Sequence, residues 1–146
     1  MRIPPSYDDA IMDMAVFTKM RVKPGTTGVV LCPPSDYPTD LPFSLVSSGV
    51  AGFVHLFVAS RSDVDERFDD AAARVSKAGL FWVSYPKSTG KQKYDVNRDS
   101  LWGLVLPRGW HPVAQVALDD HWSAIRLVRN VPGTVYERPG NVKRTA

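Results

Sequence analysis

One cysteine, Cys32, stands in a chain of 146 residues. A lone thiol excludes an internal disulfide and any metal centre built from several cysteines. No run approaches the ~20 consecutive apolar residues that a membrane-spanning helix needs. Met1-Arg2-Ile3-Pro4-Pro5 is followed by Asp8 and Asp9 rather than an apolar segment, so no secretory leader is expected. The resulting expectation is a cytoplasmic protein with no membrane partner. A large excess of one charge is also missing. The formal net charge is +3, too small to argue for nucleic acid, and the basic residues crowd into 87–98 and the tail. No internal repeat is present. The length suits one domain with a real core.

The strongest signal that is present lies in Gly79-Leu80-Phe81-Trp82-Val83-Ser84-Tyr85-Pro86-Lys87. Both alternating sets of residues 80–85 are largely apolar, which marks a strand covered on both faces. Pro86 closes it, because proline cannot donate to a ladder. Phe53–Ala59 reads the same way, and Gly28–Cys32 is a shorter strand that ends at Pro33-Pro34. Phe43–Ser48 is expected to add a short edge strand. Between the strands lie helical signals. Ile11, Met14 and Ala15 recur at helical spacing over 7–20. Ser60 or Ser62 caps a second helix whose apolar face is Val64, Phe68, Ala71, Ala72 and Val75. Arg74 and Lys77 close its last turn, and Gly79 stops it. A third helix runs from Asn97 to Leu106. Val113–Leu118 and Ser123–Arg129 then form an antiparallel hairpin beside the 80–85 strand.

Strand, helix, strand, helix and hairpin predict an α/β fold. The expected form is a single three-layer domain over 1–130, with a mainly parallel, truncated Rossmann-like sheet and a C-terminal antiparallel hairpin. Residues 131–146 lack periodicity and are expected to be extended or disordered.

Three pieces of the chain also carry a resemblance. They are Val22-Lys23-Pro24-Gly25 with its Pro-Pro-terminated strand, Val54-His55-Leu56-Phe57-Val58, and the 79–87 stretch continued by Val116–Val128. Together they resemble a family of small bacterial, mostly actinobacterial, proteins known as a domain of unknown function. The resemblance covers roughly residues 18–129 and implies no activity, cofactor or catalytic residue. The element order further resembles a cut-down methyltransferase-type Rossmann sheet. It departs where such enzymes have a Gly-rich turn after the first strand. Here that turn is Cys32-Pro33-Pro34-Ser35-Asp36, which predicts no binding of adenosylmethionine.

Ligands of open α/β sheets bind at the carboxyl ends of the strands. That edge is expected to gather Asp36, Ser60, Ser62, Ser84, Lys87 and Ser88, with the helix after Ser62 offering N–H groups to an anion. Ser88-Thr89-Gly90-Lys91 is not a phosphate loop, because Tyr85 occupies the place of the first glycine. His55 reads as a core histidine, and Cys32 as a small buried thiol. Asp119-Asp120-His121 reads as turn chemistry rather than a metal site. Trp110 is expected to be exposed in a loop. No catalytic set, cofactor or metal site emerges. The sequence therefore favours a non-catalytic module binding a protein partner or a small anionic ligand. The alternative is a methyltransferase-like enzyme holding a nucleotide-type ligand at the strand ends.

Overall fold

The computed structural model describes residues 12–89 and 91–136. Its six-stranded sheet contains β1 (Thr27–Leu31), β2 (Ser44–Leu45), β3 (Ala51–Phe57), β4 (Val75–Pro86), β5 (Trp110–Ala117) and β6 (Trp122–Arg129), in the order β2-β1-β3-β4-β6-β5. The first four strands are mutually parallel. β6 runs antiparallel to β4, and β5 antiparallel to β6. The helices are α1 (Ala15–Lys19), α2 (Arg61–Ala73) and α3 (Arg98–Val105). The fold is therefore α/β and Rossmann-like, with a mainly parallel sheet and an antiparallel end. The amino-terminal part of the helix expected over 7–20 lies outside the described residues, as does the tail from 137. No helix among the described residues is long and apolar enough to cross a membrane.

Strand alternation sorts the core into two layers. One face buries Val54, Leu56, Phe81, Val83 and Ile125 against Val64 and Phe68 of α2 and Leu101 and Val105 of α3. The other face buries Phe53, Phe57, Trp82 and Ala124 against Val16 and Phe17 of α1 and against Phe43. Trp82 joins the second layer by a polar bond as well, since its Nε1 donates to the Met20 carbonyl at 3.1 Å. Phe43, just before β2, presses its ring onto Gly28 of β1, where a Cβ has no room.

Several boundaries differ from expectation. α2 stops at Ala73, and Val75 opens β4 directly, so Lys77 and Gly79 lie inside the strand. The sheet captures the chain early. The Arg74 carbonyl accepts from Ala51 N at 2.8 Å, while the Arg74 guanidinium donates to the Gly49 and Val46 carbonyls. The hairpin likewise begins at Trp110 rather than Val113. Trp110 is buried, not exposed: it meets Phe81 edge-on at 4.9 Å, and the Arg129 guanidinium lies over its ring at 4.6 Å. Attraction between the ring face and the cation adds to the burial. The start of the expected tail is anchored too, because Tyr136 stacks on His111 at 3.8 Å.

Candidate functional site

The chain leaves β1 for β2 on one side and returns to β3 on the other. The crevice between the carboxyl ends of β1 and β3 is thus the topological switch point, where open α/β sheets place ligands. The first residue beyond β1 is Cys32, at φ +58°. This is the left-handed region, which costs an ordinary L-residue about 1–2 kcal/mol. Pro33 and Pro34 follow and contribute no N–H. Cys32 is exposed, contrary to the buried thiol expected, because the left-handed turn takes it out of the sheet.

The loop after β1 is fastened from below. Tyr37 reaches into the aromatic layer, edge-on to Phe17 and Phe57, and its hydroxyl lies 3.0 Å from His55 Nδ1. His55 Nε2 lies 2.6 Å from Ser84 Oγ, so strands β3 and β4 and the loop share one fully buried imidazole. Burial lowers the His55 pKa from 6.5 to about 3. The ring is neutral and has one donor and one acceptor, so one hydroxyl donates to it and the other accepts. Burial also raises the Tyr37 phenol well above its ordinary value. His55 is the core histidine the sequence suggests, and Ser84 is its partner, not a residue of the open edge.

At the carboxyl end of β3 the chain closes on itself. Ser60 caps α2, its Oγ accepting from Asp63 N at 3.0 Å, and Asp63 Oδ2 accepts from Ala59 N at 2.8 Å. Asp95, from the loop after β4, accepts from Arg61 N at 3.0 Å, and its carbonyl accepts from Arg61 Nε at 3.1 Å. Two carboxylates therefore sit where an anionic ligand was expected, held by the same N–H groups and the helix dipole.

Lys87 is engaged as well. Its Nζ donates to the Asp119 carbonyl at 2.8 Å, and its N–H to the His121 carbonyl at 2.8 Å. Asp119 in turn folds the hairpin turn, with Oδ1 accepting from the N–H groups of His121 and Trp122. Ser88 Oγ accepts from Tyr94 N at 3.2 Å. Ser62 and Asp36 are exposed. The structure thus places Ser60 and Ser62 at the start of α2 and Lys87 and Ser88 just past β4. Asp36 lies in the loop after β1. Sequence reasoning missed Tyr37 and Asp95. Neither belongs to a periodic pattern, and each acts across a long stretch of chain. A cavity of about 350 Å³ opens at the opposite, amino-terminal side of the sheet, beside Lys23, Thr26 and Gly52.

No protein-family model matches the chain, and no curated protein does. Strand order and switch point define a Rossmann-like α/β architecture, and solved structures share it. A ribosomal protein L11 methylase from Lactobacillus delbrueckii subsp. bulgaricus superposes with a TM-score of 0.53 at 7% identity, over 79% of this chain and 75% of the other. The glycopeptide N-methyltransferase MtfA gives 0.53 at 10%, over 79% and 88%. DhpI in complex with SAH gives 0.52 at 5%, over 80% and 82%. At these identities the similarity is one of fold. It nevertheless corrects the reading of a non-catalytic module for a protein partner or small anion. The architectures that match are those of methyltransferases, and the anion's place at α2 is filled by Asp63 and Asp95.

Proposed function

We propose that the chain is a methyltransferase-like enzyme. Its ligand would be a nucleoside without net negative charge, of the adenosylmethionine type, bound at the β1/β3 switch point. The observation that carries the reading is Cys32 at φ +58°. The glycine-free turn counted against such a ligand only on the assumption that it lacked the left-handed step. The backbone makes that step with a cysteine, and strained non-glycine residues of this kind cluster at ligand sites. The residues present also fit the ligand's charge. Pro33 and Pro34 offer no N–H groups for a phosphate, and Asp95 already accepts from Arg61 N at the start of α2, so a polyphosphate finds few open donors there. Adenosylmethionine would supply an electrophilic methyl group. The chain's own part is positional: Tyr37 and His55 hold the loop after β1, and Asp95 holds the loop after β4 against α2.

Calorimetry and thermal shift with adenosylmethionine, S-adenosylhomocysteine and ADP test this. Saturable binding of the first two is expected, with no binding of ADP. A ligand at 100 times its Kd adds about 2.7 kcal/mol of stability. Tighter binding of ADP, or no saturation by either adenosyl compound at millimolar concentration, would overturn the reading.

A further inference from the structure

The outer side of the hairpin carries a second, unrelated cavity of about 420 Å³, between α3 and the edge strand β5. That volume lies within the range of small-molecule sites, ~300–1,000 Å³. Trp102 of α3 and Ile125 of β6 form its apolar wall. Both residues are otherwise buried, so the walls belong to the core and are rigid. β5 is poorly suited to pairing with another strand here. Pro112 has no N–H, and the ladder slips between Pro112 and Ala114. A proline and a bulge blunt an edge against strand addition. The same bulge leaves Val113 45% exposed on the cavity. The cavity therefore favours a small molecule over an extended peptide.

Its two ends differ chemically. At one end stands Arg98, with 47% of its side chain exposed. Asp99 Oδ1 lies 3.9 Å from its Nε, a long separation for an ion pair. Gln115 marks the same end: its Nε2 donates to the Tyr85 hydroxyl at 3.0 Å. The other end is His111, which pairs with Val128 while Gln115 pairs with Ile125, three residues apart on β6 and thus about 10 Å away. Asn130 fixes its tautomer. Nδ2 of Asn130 donates to the Leu106 carbonyl at 3.1 Å, so Oδ1 is turned to His111 Nδ1, 2.8 Å away. The neutral ring therefore donates from Nδ1 and keeps its acceptor on Nε2. Tyr136 lies flat on the imidazole and closes that end.

We infer that this groove is a binding site for an elongated aromatic acid. The carboxylate would pair with Arg98, the apolar body would lie on Trp102, and a hydroxyl at the far end would donate to His111. The site is independent of the strand-end ligand proposed above.

The probe is 4′-hydroxybiphenyl-4-carboxylate, titrated into the full chain by calorimetry, with its uncharged methyl ester as control. Saturable binding of the acid is expected, accompanied by shifts of the Val113 and Gln115 amide resonances. Affinity should fall at least tenfold for the ester and for Arg98→Gln. Val113→Trp alters an exposed position and fills the groove, so it should abolish probe binding while leaving the amide spectrum dispersed and adenosylmethionine binding unchanged. No saturation at millimolar probe, or equal affinity in Val113→Trp, would overturn the site. Equal affinity of acid and ester would overturn the role of Arg98. A sedimentation mass of two chains that blocks the probe would show that the groove is filled by a second copy instead.

Discussion

His55 is fully buried between two hydroxyls, and its charge state ties the stability of the fold to pH. Its folded pKa, about 3, lies below the ordinary 6.5. Between those values the unfolded chain takes up a proton that the folded one refuses, so stability falls as the solution is acidified. From pH 7.5 to pH 5 the loss from this residue is about 2 kcal/mol. Urea unfolding of His55→Gln should lack that increment. An acid limb as steep as that of the parent would show that His55 is protonated in the fold. Cys32 gives a second test at this scale. Valine is β-branched and tolerates a left-handed backbone poorly, so Cys32→Val should cost about 1–2 kcal/mol, whereas Cys32→Gly should stay within ~1 kcal/mol of the parent. Equal denaturation midpoints for the two variants would contradict the strained turn. Neither property was legible in the sequence. Apolar neighbours mark His55 as buried, but its hydroxyl partners sit 18 residues before it and 29 after it. A positive φ at cysteine has no sequence signature.

Elements were legible where local chemistry and tertiary context agree. α3 begins at the expected Asn97, whose side chain accepts from Ser100 N while Ser100 Oγ accepts from Asn97 N. Of the two caps expected for α2, Ser60 or Ser62, Ser60 is the one that caps it. Its end was misread because Arg74, Lys77 and Gly79 look like a helix terminus, while the sheet offers Arg74 three main-chain partners in residues 46–51. The position of β2 was found from Phe43–Ser48, but not the reason for its closeness to β1. That reason is the Phe43 ring against Gly28. Gly28→Ala should therefore overpack the interface of β1 with the segment before β2, at a cost of about 1–3 kcal/mol. A melting temperature unchanged from the parent would show that Phe43 can step aside freely.

For the whole molecule, the alternation of strands and helices foretold the parallel sheet with its antiparallel end, and apolar runs foretold which strands are covered on both faces. The candidate site was legible only as an edge. Topology names the carboxyl ends, but whether a helix N-terminus there is open depends on Asp95, 34 residues away from Arg61. Loop carboxylates that fill such a position leave no periodic trace.

β4 is the strand on which parallel and antiparallel halves meet: Phe81–Ser84 pair with β3 on one side and with β6 on the other. Isotope exchange in deuterated water makes this arrangement measurable. An amide proton hydrogen-bonded within a central strand is released only when neighbouring strands separate, so its exchange reports the free energy of opening the whole domain. Amides of Phe81–Tyr85 should be the last to exchange and should share one opening free energy, equal to that from denaturant unfolding. Those of β2 and α1 should be lost much earlier through partial openings. If β4 instead exchanged in step with β2, the two halves of the sheet would come apart independently, and residues 12–136 would unfold in more than one step.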